Sequence, residues 1–170
     1  YVSGLGPTRR IVVHDTLLTR GRDDEAAAVV AHELGHVVAH DVRTGTLLGA
    51  AGAAVGVLVT AGLLGWQPLL SASGSSSAAD PAVAGLLLAL GAWAGLLGSP
   101  VSSAVSRRIE RRADAFCLDL ARDPLTVASM HRALAVTNLA PLRPVRILHL
   151  WFGTHPTSPE RIEAARAWAR

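Results

Sequence analysis

His32-Glu33-Leu34-Gly35-His36 places two imidazoles four residues apart, with an acid directly after the first. On an α-helix, positions i and i+4 share one face, about 6 Å apart along the axis. Two imidazoles held in that way can grip one tetrahedral Zn²⁺, and Glu33 between them can reach a water on that ion without displacing it. Such a trio can carry out metal-assisted amide hydrolysis. The cation polarises a carbonyl and acidifies water, and the carboxylate moves the proton. The motif is expected on a helix covering residues 25–40, opened by Asp23-Asp24-Glu25 at its positive end. Only Gly45 interrupts the run from there into the apolar segment that follows. His40 lies four residues after His36, so a His36/His40 pair is an alternative, but no glutamate directly follows His36 to serve it.

A catalytic zinc takes a third protein ligand and keeps one position open. Glu110 is the candidate, in the run Arg107-Arg-Ile-Glu110-Arg-Arg-Ala-Asp114. Asp114 is one turn further on, able to accept the free N–H of a ligating histidine. The other reading of these acids is ion pairing with the four neighbouring arginines on a solvated face. The arginines themselves are expected at headgroup level with anionic lipid. Cys117, seven residues after Glu110, reads as a small buried side chain. His14, His131 and His149 read as isolated polar residues.

An unusually apolar chain must position these groups. Of 170 residues, 50% are hydrophobic and 17% charged, with a mean hydropathy of +0.35. Those values exclude a disordered tail, a collagen-like fibre and a highly charged soluble domain. A single cysteine excludes a disulfide framework and a CxxC metal knuckle. Aromatic residues make up 4% and do not interleave with basic ones, so no nucleic-acid partner is expected. All 16 basic residues are arginine, which points to a GC-rich, bacterial genome.

No charged residue occurs in residues 44–79 or 81–106; Asp80 alone separates the two stretches. Within them, segments of about 45–65 and 82–99 are nearly pure Leu, Ala, Gly and Val, and roughly 20 such residues cross a bilayer core. A Ser/Gly-rich stretch, residues 71–81, joins them. This reads as a two-helix transmembrane hairpin in a mainly α membrane protein; a hairpin buried in a soluble core is the alternative. Arg43 precedes it, Arg107, Arg108, Arg111 and Arg112 follow it, and the connecting loop has no Lys or Arg. The positive-inside rule then puts both outer ends in the cytoplasm. Trp66 and Trp93 are candidate interface anchors, and Gly52/Gly56 and Gly91/Gly95 are small-xxx-small pairs expected to bring helices close.

Outside the hairpin, residues 9–15 are a β-branched run expected as a short strand. Helices are expected over residues 102–121 and 126–139, and a short apolar element over 145–152. A last helix is expected to open at the capping-box spacing of Thr157-Ser-Pro-Glu160 and run through residue 169. Tyr1 is not methionine and no signal-type segment opens the chain, so the sequence is expected to be the C-terminal part of a longer protein.

HELGH, an apolar hairpin, Glu110-Arg-Arg-Ala-Asp114-Ala-Phe, and then Thr154-His155-Pro156-Thr-Ser-Pro-Glu-Arg161-Ile follow one another in this chain. In that order they resemble the type I CAAX prenyl protease and HtpX-like zinc metalloprotease family, HExxH gluzincin membrane peptidases. Arg9-Arg-Ile-Val-Val-His-Asp-Thr-Leu-Leu18 resembles the family's strand ahead of its zinc helix, so the resemblance spans nearly the whole of residues 1–170. It implies a gluzincin-like fold and one Zn²⁺ per chain, held by His32, His36 and Glu110. Glu33 would be the general base and Asp114 would back a ligand histidine. His155 and Arg161 would line the site, one of them stabilising the oxyanion. The implied protein is a multi-pass zinc metalloendopeptidase of the cell membrane with its catalytic site on the cytoplasmic side. Its partners would be a peptide or membrane-protein substrate, the lipid bilayer and further upstream transmembrane helices of the same protein. The strand near residues 11–14 could hold an extended substrate by edge pairing.

Two other readings remain open to the residues. A site-2-type intramembrane protease would carry HExxH inside an apolar helix, whereas here Asp23, Asp24 and Glu25 closely precede the motif. A non-catalytic metal-binding membrane protein, a sensor or scaffold, would bind zinc and have no use for Glu33.

Overall fold

The structure, a computed structural model, describes residues 2–4, 6–8, 10–13 and 22–168. Among them the chain forms two compact units, Tyr1–Thr44 with Val101–Arg170, and Gly45–Pro100. Described residues form two short strands, β1 (Val2–Ser3) and β2 (Arg10–Ile11), and seven α-helices. The helices are α1 (Asp23–Val38), α2 (Asp41–Leu64), α3 (Gln67–Ala72), α4 (Val83–Ala121), α5 (Pro124–Thr137), α6 (Arg146–Phe152) and α7 (Ser158–Trp168).

In the first unit, β1 and β2 pair antiparallel through Val2–Ile11 and Ser3–Arg10. The strand is thus shorter than residues 9–15; His14 and the segment up to residue 21 lie outside the described residues. α1 starts with three acids in its first turn, where the helix dipole favours them. The Glu25 carboxylate accepts from the Arg22 backbone N–H at 3.4 Å and from the Ser129 hydroxyl at 2.6 Å, tying the start of α1 to α5. α1 ends at Val38, and His40 takes a left-handed φ of 56° before α2 begins at Asp41. The helix therefore stops two residues short of the expected end. The break falls at His40, not at Gly45.

α4 runs unbroken for 39 residues, through Pro100. The two expected segments, 82–99 and 102–121, are one helix. A proline within an apolar helix forfeits one hydrogen bond without ending it. α5 starts two residues earlier than expected because Pro124 fits the first helical position. The Asp123 side chain caps it, accepting from the Leu125 and Thr126 backbones at 3.1 and 3.0 Å. α7 opens at the expected box, with Thr157 N–H donating to Glu160 at 2.7 Å. The core joins α1, α4, α5 and α7 through Ala28, Ala31, Cys117, Leu118, Val127, Ala128, Met130 and Ala165. Small residues dominate it, so the helices lie close. Cys117 is fully buried and its thiol donates to the Ala28 carbonyl at 3.2 Å.

In the second unit, α2 and α4 contribute two helices long and apolar enough to cross a membrane, with 0% and 6% of their apolar windows buried. That exposure runs against a hairpin hidden in a soluble core. α3 ends inside the expected loop, taking in Ser71 and Ala72, and its Leu70 is buried. Gly52, Gly56, Gly91 and Gly95 have open space where a Cβ would stand, so the close helix contact expected at those glycines is not formed. Gly52, Gly91 and Gly95 are instead exposed and Gly56 half-buried.

Candidate metal centre

α1 and α4 supply the donors. Gly35 lies between the two motif histidines where α1 crosses α4; a Cβ there would stand 3.2 Å from Ala113 Cα and 3.3 Å from Phe116 Cβ. A side chain there would press the two backbones apart by a few tenths of an ångström. The approach brings Glu110, one turn before Asp114, up to the histidine face.

The ligand atoms of His32, His36 and Glu110 all lie within 4.8 Å of one another. His32 Nε2 and His36 Nε2 are 3.2 Å apart. Glu110 Oε2 is 3.5 Å from His32 Nε2, and Glu110 Oε1 is 3.6 Å from His36 Nε2. Bonds of about 2.0–2.2 Å in a tetrahedron give ligand-to-ligand edges of roughly 3.3–3.6 Å. The spacing and the N, N, O donor set therefore fit zinc.

Each histidine's other nitrogen faces a carboxylate. His36 Nδ1 is 2.9 Å from Asp41 Oδ2, and His32 Nδ1 is 2.9 Å from Asp114 Oδ1. The Asp41 carboxylate only accepts, so His36 Nδ1 carries the proton and its Nε2 lone pair is left for a cation; His32 Nδ1, though close to Asp114, makes no well-aligned hydrogen bond. Arg112 pairs with Asp41. Arg161 binds Asp114 through two nitrogens, Nε to Oδ2 at 2.7 Å and Nη2 to Oδ1, and its Nη2 is also 3.7 Å from Glu110 Oε2.

Burial opposes charge on all three of these groups, yet their partners outweigh it. His32 is pushed up to about 9: burial lowers it, and contacts with Asp114 and Glu110 raise it more. Burial also raises Asp114, but His131, His32 and Arg161 hold its carboxyl far below the usual range. Glu110 is lowered in the same sense by His32 and His155. All of these groups lie outside residues 45–65 and 82–99.

A cleft of about 590 Å³ opens over the donors. Glu33, His149, His155 and Arg161 line it, and Val29, Leu134 and Phe152 make part of an apolar wall. His155 Nε2 lies 3.4 Å from Glu110 Oε1, and the Thr154 hydroxyl is 2.9 Å from its Nδ1. All seven expected site residues therefore meet in one region. His40, exposed and past the end of α1, does not join the cluster. His131 and His149 are not the isolated residues expected. His131 is buried with Nε2 3.5 Å from Asp114 Oδ1, and both line the cleft. Asp41 was missed altogether; its only sequence signal is an acid directly after a helix-ending histidine. The arginine cluster divides. Arg112 pairs with Asp41, and Arg107 Nη1 donates to the backbone carbonyls of His149, Leu150 and Gly153.

Comparison with known proteins supplies the class. The family model for Peptidase family M48 matches residues 1–169, and the chain belongs to that family. It is 32% identical over 167 residues to the "Uncharacterized metalloprotease YhfN" of Bacillus subtilis, covering 97% of this chain and 39% of that protein. It is 31% identical over 188 residues to the "Protease HtpX homolog" of Methanopyrus kandleri, covering 100% of this chain and 56% of the relative. The chain thus spans between about two fifths and three fifths of the length of these relatives. Its fold resembles that in the crystal structure of S. mikatae Ste24p, with a TM-score of 0.78 at 23% identity over 97% of this chain and 41% of that one.

Proposed function

We propose that this chain is the catalytic part of a membrane-embedded zinc metalloendopeptidase that hydrolyses peptide bonds. The observation that supports it best is the convergence of His32, His36 and Glu110, each histidine backed by a carboxylate, beneath a cleft lined by Glu33. A bound Zn²⁺ would supply Lewis acidity to the scissile carbonyl and lower the pKa of water in the site. Glu33 would take the proton from that water and hand it to the leaving amine. His155, 60% exposed and aimed at Glu110, would donate to the developing oxyanion. Arg161 would act mainly by locking Asp114, since two of its nitrogens are engaged there. The charge pattern around α2 and α4 supports a multi-pass protein of the cell membrane with this site on the cytoplasmic side. Its substrates would be peptides or membrane proteins.

The deciding experiment is zinc per chain on the purified full-length protein, for wild type and Glu110→Gln in parallel. About one zinc in the wild type, weakened by the substitution, supports the three-ligand site. Equal zinc in both removes Glu110 from the ligand set, and none in the wild type removes the metalloenzyme reading.

A further inference from the structure

α6 is a helix with nothing buried. Ile147, Leu148, Leu150 and Phe152 are each more than half exposed, and so are Leu139, Leu142 and Val145 in the loop before it. Seven large apolar side chains presented to solvent in one short stretch need a cover.

The fold indicates where that cover lies. α6 hangs on one stretch of α4 by its carbonyls. Ser103 Oγ donates to Trp151 O at 2.9 Å, and Arg107 Nη1 donates to His149 O at 3.2 Å and Gly153 O at 2.6 Å. That stretch of α4 follows directly on the apolar run ending at residue 99. Ser103 and Arg107 are the fourth and eighth residues after its end. Arg143 and Arg146 are exposed, and no ion pair engages either side chain among the described residues.

We propose that α6 and residues 139–145 lie in the interfacial layer of an anionic membrane leaflet, apolar side chains entering the lipid and Arg143 and Arg146 meeting its phosphates. The inference rests on the membrane placement proposed above. Apolar side chains mixed with arginine and tryptophan are the composition that holds such a layer. His149, Phe152 and Gly153 line the cleft, so its mouth would open at the lipid surface. A chain tethered to the membrane could then enter the site without leaving the interface.

The test is nitroxide depth measurement on the full-length protein in phosphatidylcholine vesicles, with and without phosphatidylglycerol. Labels go on Leu142→Cys and Leu148→Cys, with Leu88→Cys in the apolar run of α4 and Leu125→Cys at the start of α5 as references. Cys117 is fully buried and stays unlabelled. Collision with oxygen relative to a nickel chelate should be several-fold greater at 142 and 148 than at 125, and below that at 88. Phosphatidylglycerol should deepen both labels, and Arg143→Glu with Arg146→Glu should abolish that deepening. Water-like values at 142 and 148 with a deep label at 88 would overturn the proposal alone. Protection from both quenchers would also overturn it, showing that polypeptide is the cover. A water-like label at 88 would overturn the membrane placement as well. Zinc content of the same samples reports on the metal site independently.

Discussion

His36 Nδ1 sits 2.9 Å from Asp41 Oδ2, across the left-handed turn at His40 that separates α1 from α2. The contact fixes the imidazole tautomer and points Nε2 at His32 and Glu110. Asp41→Ala should therefore weaken zinc binding about 10- to 100-fold with the HExxH motif intact. Chelator competition measures this. Arg112→Ala should do less, because that side chain is 55% exposed and its pairing is screened by solvent. An unchanged affinity in Asp41→Ala would remove Asp41 from the site.

Glu33→Gln separates catalysis from binding. Zinc content should stay at the wild-type level while peptide hydrolysis falls by roughly 10²–10⁴. Retained hydrolysis would favour a different base, and an absence of hydrolysis in the wild type would favour the sensor or scaffold reading.

Gly35→Ala pits helix propensity against spacing. Alanine favours a helix interior by about 0.5–1 kcal/mol. Its Cβ would press on the Ala113 backbone at 3.2–3.3 Å, which has no side chain to swing aside. Circular dichroism should show unchanged helicity, with zinc affinity reduced as α1 and α4 are pushed apart. Undiminished affinity would mean that the crossing has slack.

The start of α7 gives a pH signature away from the metal. The Thr157 backbone N–H, donating at 2.7 Å, holds the Glu160 carboxyl below its ordinary value. A depressed carboxylate contributes stability above its ordinary pKa of about 4.5 and loses that contribution as pH falls through the folded value. Glu160→Gln should therefore lower the unfolding temperature at pH 7 and converge on wild type under acid conditions. A difference that persists in acid would point to packing instead of charge.

Periodicity and composition made the helices, the apolar pair and the zinc motif legible, because each follows from local residue order. The end of α1 was not, since a left-handed histidine such as His40 carries no composition signal. The continuity of α4 was obscured by Ser99 and Pro100, residues that usually mark a boundary. At the site, Glu110 and Asp114 could be named by their shared helix face. Asp41, His131 and Thr154 could not, because their relevance depends on which helices cross. The resemblance supplied His155 and Arg161, which spacing by itself would not single out. The part Arg107 plays in holding α6 was not legible, because its charge shows in the sequence and the carbonyls it meets do not.

The order of the donors along the chain is the order in which they are synthesised. His32 and His36 are made early and Glu110 late, and both apolar helices lie between them. In the proposed placement, Glu110 can reach the histidines only after the intervening hairpin has crossed the bilayer and returned. A half-inserted chain would therefore be missing a ligand and be inert. Completion of the metal site would act as a checkpoint on membrane insertion, keeping a nascent protease harmless until its topology is correct.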